Sequence, residues 1–336
     1  MNKNWIKIAS VYIGTVIGAG FASGREILEF FGVYGIKGIF GIIVSGLLFS
    51  ILGSLFLLKI YKYRINGLNE LVGTIFGHRF SFVLDTIIGL SLYTGYSVML
   101  SGSGAIFKEE LGLSFNLGII VMVLFTFIVF LFKLEGLSII NTILVPILII
   151  GILFTSIYLN TREGFNISNI EGVRLTAKGN FISSSLLYFG SNSLIIIIVF
   201  SSLLPLVKDK KTAILGGAIG GFILLLLGIS ILLSMLIYYN EVANLEIPML
   251  KICGSINTVY RKVYALILWI AIFTTAIANG FGFMNRMEDK NKLIYTALFC
   301  ISAIPLAKFG FANLVGIIYP LSGAIGIVLM IFILVY

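Results

Sequence analysis

The residues able to do chemistry in this chain are few, and they sit inside apolar sequence. Near the N-terminus the chain reads Gly14-Thr15-Val16-Ile17-Gly18-Ala19-Gly20-Phe21-Ala22-Ser23-Gly24. Each glycine inside a helix costs about 1 kcal/mol relative to alanine, so the cluster at Gly18, Ala19 and Gly20 predicts an unwound stretch. Peptide N–H groups that begin a half-helix have no turn before them and lie at the positive end of its dipole, which suits an anion. A second polar interruption, Tyr188-Phe189-Gly190-Ser191-Asn192-Ser193, predicts another break, with Tyr188, Phe189, Gly190, Ser191 and Asn192 facing the same pocket. The fourfold spacing of Gly14/Gly18 and Gly20/Gly24 also fits ordinary small-xxx-small helix packing. Gly216-Gly217-Ala218-Ile219-Gly220-Gly221 shows how readily such spacing arises without a site.

Other side chains add to this set. Tyr93 and Tyr96 lie near the middle of an apolar stretch, where either hydroxyl could donate to a solute. Ala271, Thr274 and Thr275 stand at i, i+3 and i+4, which puts one carbonyl and two hydroxyls on one helix face, a set suited to a hard cation such as sodium. Threonine also commonly bonds back to its own helix. Arg25, Glu26, Glu29 and Asp85 are charges within apolar sequence, where insertion costs about 2.5–3.5 kcal/mol and a functional role is the default expectation. Arg25 and Glu29 are four apart and able to pair. Otherwise Arg25 and Glu26 are gate candidates, Glu26 alternatively a proton-titrating group, and Asp85 belongs to an inner gate or to solvent.

Enzymatic chemistry has little to work with. The single histidine, His78, lies in a basic connection, and no H-E-x-x-H, nucleophile elbow or phosphate loop occurs. Cys253 and Cys300 fall in different segments without metal-ligand or disulfide spacing, and no cofactor is expected beyond a coupling ion. Asn166-Ile167-Ser168 matches a glycosylation sequon, a pattern common by chance.

The elements that position these residues follow from composition. Of 336 residues, 59% are hydrophobic and 11% charged, with mean hydropathy +1.11, a balance that cannot cover a soluble domain with polar surface. A bilayer core of roughly 30 Å needs about 20 apolar residues per helix. Ten stretches qualify, at 5–31, 36–58, 80–107, 115–132, 137–159, 180–206, 212–238, 262–284, 292–308 and 311–335. The first lacks an A-x-A-like cleavage site and reads as a retained span, not a signal peptide.

The formal charge of +9 reflects topology rather than a nucleic-acid partner. With the N-terminus inside, 13 of the 23 basic residues fall on the cytoplasmic side, among them Lys3, Lys62, Lys133, Lys211, Arg286 and Lys290. Short outer loops hold only Lys37, Lys108 and Lys308, so both termini are predicted cytoplasmic in a multi-pass protein of the cell membrane.

The fold class expected is all-α transmembrane. Ten spans form one domain over residues 1–336, as two five-helix halves at about 5–159 and 180–336. An odd number per half reverses its orientation, the arithmetic of an inverted repeat whose site lies at midplane between discontinuous first and sixth spans. Unwound backbone at that depth is tolerated only where it lines a cavity or is buried in protein. A channel would need a continuous polar pore, whereas the polar residues here cluster at midplane. A solute-sensing receptor on the same architecture shares the pocket and stays open as an alternative.

The run GTVIGAGFASGREILEFF, Gly14 to Phe31, resembles the opening of YkvI-type bacterial membrane proteins, a branch of the amino acid–polyamine–organocation superfamily. The resemblance implies the LeuT-type five-plus-five fold, and a glycine pair in the first span that offers N–H groups to a substrate carboxylate. It implies a secondary transporter of an amino acid or similar zwitterion. In LeuT-type sodium symporters the Ala271/Thr274/Thr275 pattern pairs with two carbonyls of the first span, here those of Gly14 and Ile17. Phe21 stands where neurotransmitter-type relatives carry an asparagine, which argues against a second sodium site. Residues 136–159 carry no lysine of the kind some proton-coupled relatives use, which favours sodium over protons.

Overall fold

The computed structural model describes residues 3–75, 78–132, 137–164, 179–284 and 292–335. The sequon Asn166–Ser168 and the basic residues Lys133, Arg286 and Lys290 lie outside the described residues, as do the side chains of His78, Arg79 and Lys292. Among the described residues the chain is helical without strands. Eight helices are long and apolar enough to cross a membrane, and a ninth apolar helix, α14 (Lys292–Ala307), is shorter. The remaining apolar stretch, the first, is built in three pieces: α1 (Asn4–Val16), α2 (Ala19–Ser23) and α3 (Arg25–Phe30).

The long helices are α4 (Lys37–Tyr63), α6 (His78–Glu109), α7 (Phe115–Phe132), α8 (Leu137–Glu163), α9 (Phe181–Ser201), α10 (Lys210–Ile237), α13 (Thr258–Met284) and α15 (Phe311–Val335). Short helices α5 (Leu68–Ile75), α11 (Tyr239–Val242) and α12 (Pro248–Ile256) lie between them. Large apolar side chains point outward along the long helices, for example Phe40, Leu47 and Ile51 on α4 and Ile150 and Ile157 on α8. Surface of this kind calls for lipid as its solvent.

Small residues set the closest helix pairs. On α10, Gly217 and Gly221 back onto Ser54 and Ser50 of α4, while Gly216 and Gly220 back onto Ile8 and Tyr12 of α1. The double glycines therefore seat two neighbours on two faces, which is packing and not a site. Tyr12 is buried there and donates to the Phe49 carbonyl at 2.8 Å.

One correction concerns the sixth span. Its predicted break is absent, because α9 runs as a continuous helix through Gly190. The span also ends at Ser201 rather than 206, where the chain enters turns that lead to the Asp209 cap of α10. That cap lies outside the spans, and its bonds to Thr212 hold the Asp209 carboxyl below the usual carboxylate range.

Candidate functional site

The first span is interrupted twice. Ile17 ends α1, and Gly18 is extended at φ −92° and ψ −174° before α2 begins. A side-chain carbon placed on Gly18 would meet nothing within 4 Å, so this bend borders open space. Ala19 and Gly20, expected to be unwound, instead form the start of α2, and both are buried. The second interruption, unforeseen in the sequence, is Gly24 at φ +79°, a left-handed conformation that favours glycine. Met235 and Met249 occupy the space where its side chain would project.

Glu26 is the central observation. Its side chain folds back along the first span so that a Cβ on Gly20 would overlap its carboxyl. The residue is only 4% exposed. The Tyr319 side chain of α15 lies beside it, and the Oε2 atom has no hydrogen-bond partner among the described residues. Arg25 does not neutralise it. That guanidinium pairs with Glu29 at 2.9 Å and donates to the carbonyls of Ala243 and Leu245 at 3.1 and 2.9 Å.

Those bonds belong to a wider closure. Call the face where α1 begins the near face. On the opposite, far face, Glu109 accepts from the N–H groups of Glu246 and Ile247, and Glu246 accepts from Ala312. Arg261 pairs with Glu110 and donates to the Glu109 carbonyl. The segment with α11 and α12 thereby ties α3, α6, α13 and α15 together above the break. Tyr264 of α13 adds a bond to the Ala22 carbonyl at 2.7 Å. Arg25 thus belongs to this cluster of contacts on the far face.

The sixth-span residues have other occupations. Gly190 of α9 lies against the Gly323 backbone of α15, and Gly326 against the Gly190 carbonyl, so the glycines permit backbone-to-backbone approach. Ser191 and Asn192 donate to the Tyr188 carbonyl at 2.8 and 3.1 Å, and Ser193 donates to that of Phe189 at 2.8 Å. The Ser191, Asn192 and Ser193 groups that suggested a break donate within their own helix. Tyr188 is buried, with ring centroids 5.3 Å from Phe30 and 5.1 Å from Phe31, and Phe189 lies 5.1 Å from Phe49. The Tyr188 hydroxyl has no partner among the described residues.

Tyr93 and Tyr96 need a second correction, because they face away from the break. Tyr96 shares a 2.8 Å bond with Thr126 of α7 and contacts Cys300 of α14. Tyr93 packs on Phe283 and Phe299. Asp85 is exposed, toward the near end of α6. Thr274 and Thr275 both donate to the Ala271 carbonyl, at 3.0 and 2.8 Å. Their helix rests on α2, α6, α7, α8 and α12, whereas α1, with Gly14 and adjoining Ile17, rests on α8, α9 and α10. The two parts of the expected cation set thus lie on different elements that share α8 as a neighbour.

Sequence reasoning flagged Glu26 but missed its seat on Gly20 and its neighbour Tyr319. The adjoining Pro320 was a signal: it lacks the N–H that the Gly316 carbonyl would accept, which marks a special place in α15. Both cysteines are buried and free. Burial pushes the Cys253 thiol up to about 12, leaving it no nucleophile at neutral pH.

An all-helical bundle of this kind, with its first span broken in the interior, is a LeuT-type membrane fold. An Eremococcus coleocola manganese transporter, solved with an aromatic bis-isothiourea substituted compound, aligns with a TM-score of 0.62 at 16% identity, over 99% of this chain and 80% of that one. The inward-facing conformation of Mhp1 aligns at 0.56 and 12% identity, over 95% and 72%. By sequence, the chain is 31% identical to the uncharacterized membrane protein YkvI of Bacillus subtilis (strain 168), over 96% of this chain and 92% of that protein. It therefore belongs to the YkvI family of membrane proteins. A second Bacillus subtilis protein, YyaD, is 24% identical over 96% and 94%. No family model matches.

Proposed function

We propose that the chain is a secondary transporter of a small zwitterion, most simply an amino acid, seated at the break in the first span. The observation that carries this reading is Gly18, extended in the interior of the bundle and bordering open space, with the far side closed above it. The likeness in fold to a solved manganese transporter supports it. The manganese of one relative is not carried over. Among the described residues no three His, Cys, Asp or Glu side chains gather in one place.

The finer reading keeps two inverted five-helix halves at about 5–159 and 180–336, membership of the amino acid–polyamine–organocation superfamily, and a cell-membrane location with cytoplasmic termini. Sodium is the proposed coupling ion, held by the carbonyls of Gly14, Ile17 and Ala271 and the hydroxyls of Thr274 and Thr275. Gly14 and Ile17 belong to the first span and the other three residues to α13, so motion of one against the other would open or close that site, which is how ion binding would drive rocking between bundles.

A thermal-shift screen of the amino acids, with sodium or choline as counter-ion, tests the reading. A midpoint rise that needs both amino acid and sodium is expected. A rise equal in choline, or full sodium dependence in Thr274→Ala/Thr275→Ala, would remove sodium from the account. Counterflow of the stabilising amino acid in proteoliposomes separates a carrier from a sensor.

A further inference from the structure

A carboxylate taken out of water costs several kcal/mol unless a positive charge accompanies it. Glu26 has no such companion. Its own helix supplies Arg25, which is committed to Glu29 and two carbonyls. From α15 it meets the Tyr319 hydroxyl, and from α9 the nearest titratable group is Tyr188. The titratable groups of the other adjoining elements are turned elsewhere. Tyr34 donates to the Gly179 carbonyl, Lys251 pairs with Glu241, Cys253 lies against Thr155, and Tyr264 bonds Ala22. The basic residues of α10, Lys210 and Lys211, stand at its opposite end.

The carboxyl also lies on Gly20, two residues beyond the bend at Gly18. A solute carboxylate held by the peptide groups of this bend would come beside Glu26. Two carboxylates that close do not both ionise readily.

From this we infer that Glu26 is a proton-binding site whose proton licenses the solute's carboxylate, so that proton and solute bind together at the first-span break. This deepens the carrier reading and rests on it. In the far-side-closed conformation the proton is buried with the solute, and it can leave only when the surrounding bundle opens. Oε2, unpartnered among the described residues, is the atom free to hold that proton while Oε1 faces Gly20. Linkage then fixes a sign. A proton that favours solute makes the solute bind more tightly as pH falls, by up to about tenfold per pH unit for a single proton. Glutamine, shaped like the protonated acid, should hold the tight form at every pH.

The experiment has two arms on the full chain in lipid nanodiscs. Infrared spectra of the wild type and Glu26→Gln at neutral pH should differ by the C=O band of a protonated carboxyl, and alkaline titration of the wild type alone should remove it. Absence of that band in the wild type overturns the proposal without reference to any solute. In the second arm, each amino acid that raises the thermal midpoint is titrated from acid to alkaline pH. Wild-type affinity should fall toward alkaline pH, while Glu26→Gln changes less than about twofold over the same range.

Affinity that rises with pH, or is lost in Glu26→Gln, overturns the proposal by making the carboxylate a partner for the solute's ammonium. Binding that ignores pH in the wild type overturns the coupling and leaves the carrier reading intact. A protonated band with no amino acid raising any midpoint overturns both.

Discussion

The first span and α9 began as the same sequence signal, glycine beside small and polar residues in an apolar stretch, and they fold in opposite ways. In the first span the helix ends at Val16, bends at Gly18 beside open space and turns again at Gly24. In α9 the helix is unbroken, its glycine pressed on another backbone and its serines and asparagine bonded to their own carbonyls. Glycine alone does not unwind a membrane helix. The two glycines differ in what fills the space a side chain would take. Gly190 has Gly323 there, and Gly18 has nothing within 4 Å.

The largest expected effect separates these two glycines. Gly190→Leu would drive a side chain into the Gly323 backbone, a steric conflict that costs about 3 kcal/mol or more and should abolish monodisperse protein in size-exclusion chromatography. Gly18→Ala, at a backbone geometry open to any residue, should keep both yield and thermal midpoint. Equal damage at both positions would erase the distinction.

Next in size is Gly20→Leu. Its side chain would displace the Glu26 carboxyl, and amino-acid affinity measured by calorimetry should fall at least about tenfold. Retained affinity would move the solute away from the break.

Why one signal was right and the other misleading is itself physical. Hydropathy and length made the apolar stretches legible, because lipid demands them whatever the tertiary packing. The Arg25–Glu29 pair was legible as well, since a four-residue spacing places both on one helix face. Partner choice was not. Whether Ser191 turns to a solute or to Tyr188 depends on α15 arriving more than a hundred residues later, and the direction of Tyr96 depends on Thr126 and Cys300. The contact of Glu26 with Gly20 was hidden because a helix drawn straight would set them six positions apart, on different turns. It needs the αL bend at Gly24, which a small-xxx-small reading treated as packing.

Smaller effects sharpen the comparison further. Tyr96→Phe deletes a buried hydrogen bond on the scaffold side of α6, and should lower stability by about 1 kcal/mol in denaturant titration while leaving solute affinity unchanged. A change in affinity there would return Tyr96 to the pocket. The smallest effect is expected from Ser191→Ala combined with Asn192→Ala. These side chains serve their own helix, so affinity should shift less than about twofold, and a loss beyond tenfold would show that α9 opens during transport.

Hydrogen–deuterium exchange of the protein in nanodiscs, with and without the amino acid that raises its thermal midpoint, tests the central claim most directly. The first span should exchange quickly over residues 14–24 when empty and slow on binding, while residues 187–194 stay protected throughout. Fast exchange at 187–194 that slows with solute, with residues 14–24 protected and unresponsive, would place the solute on the other span and contradict the account.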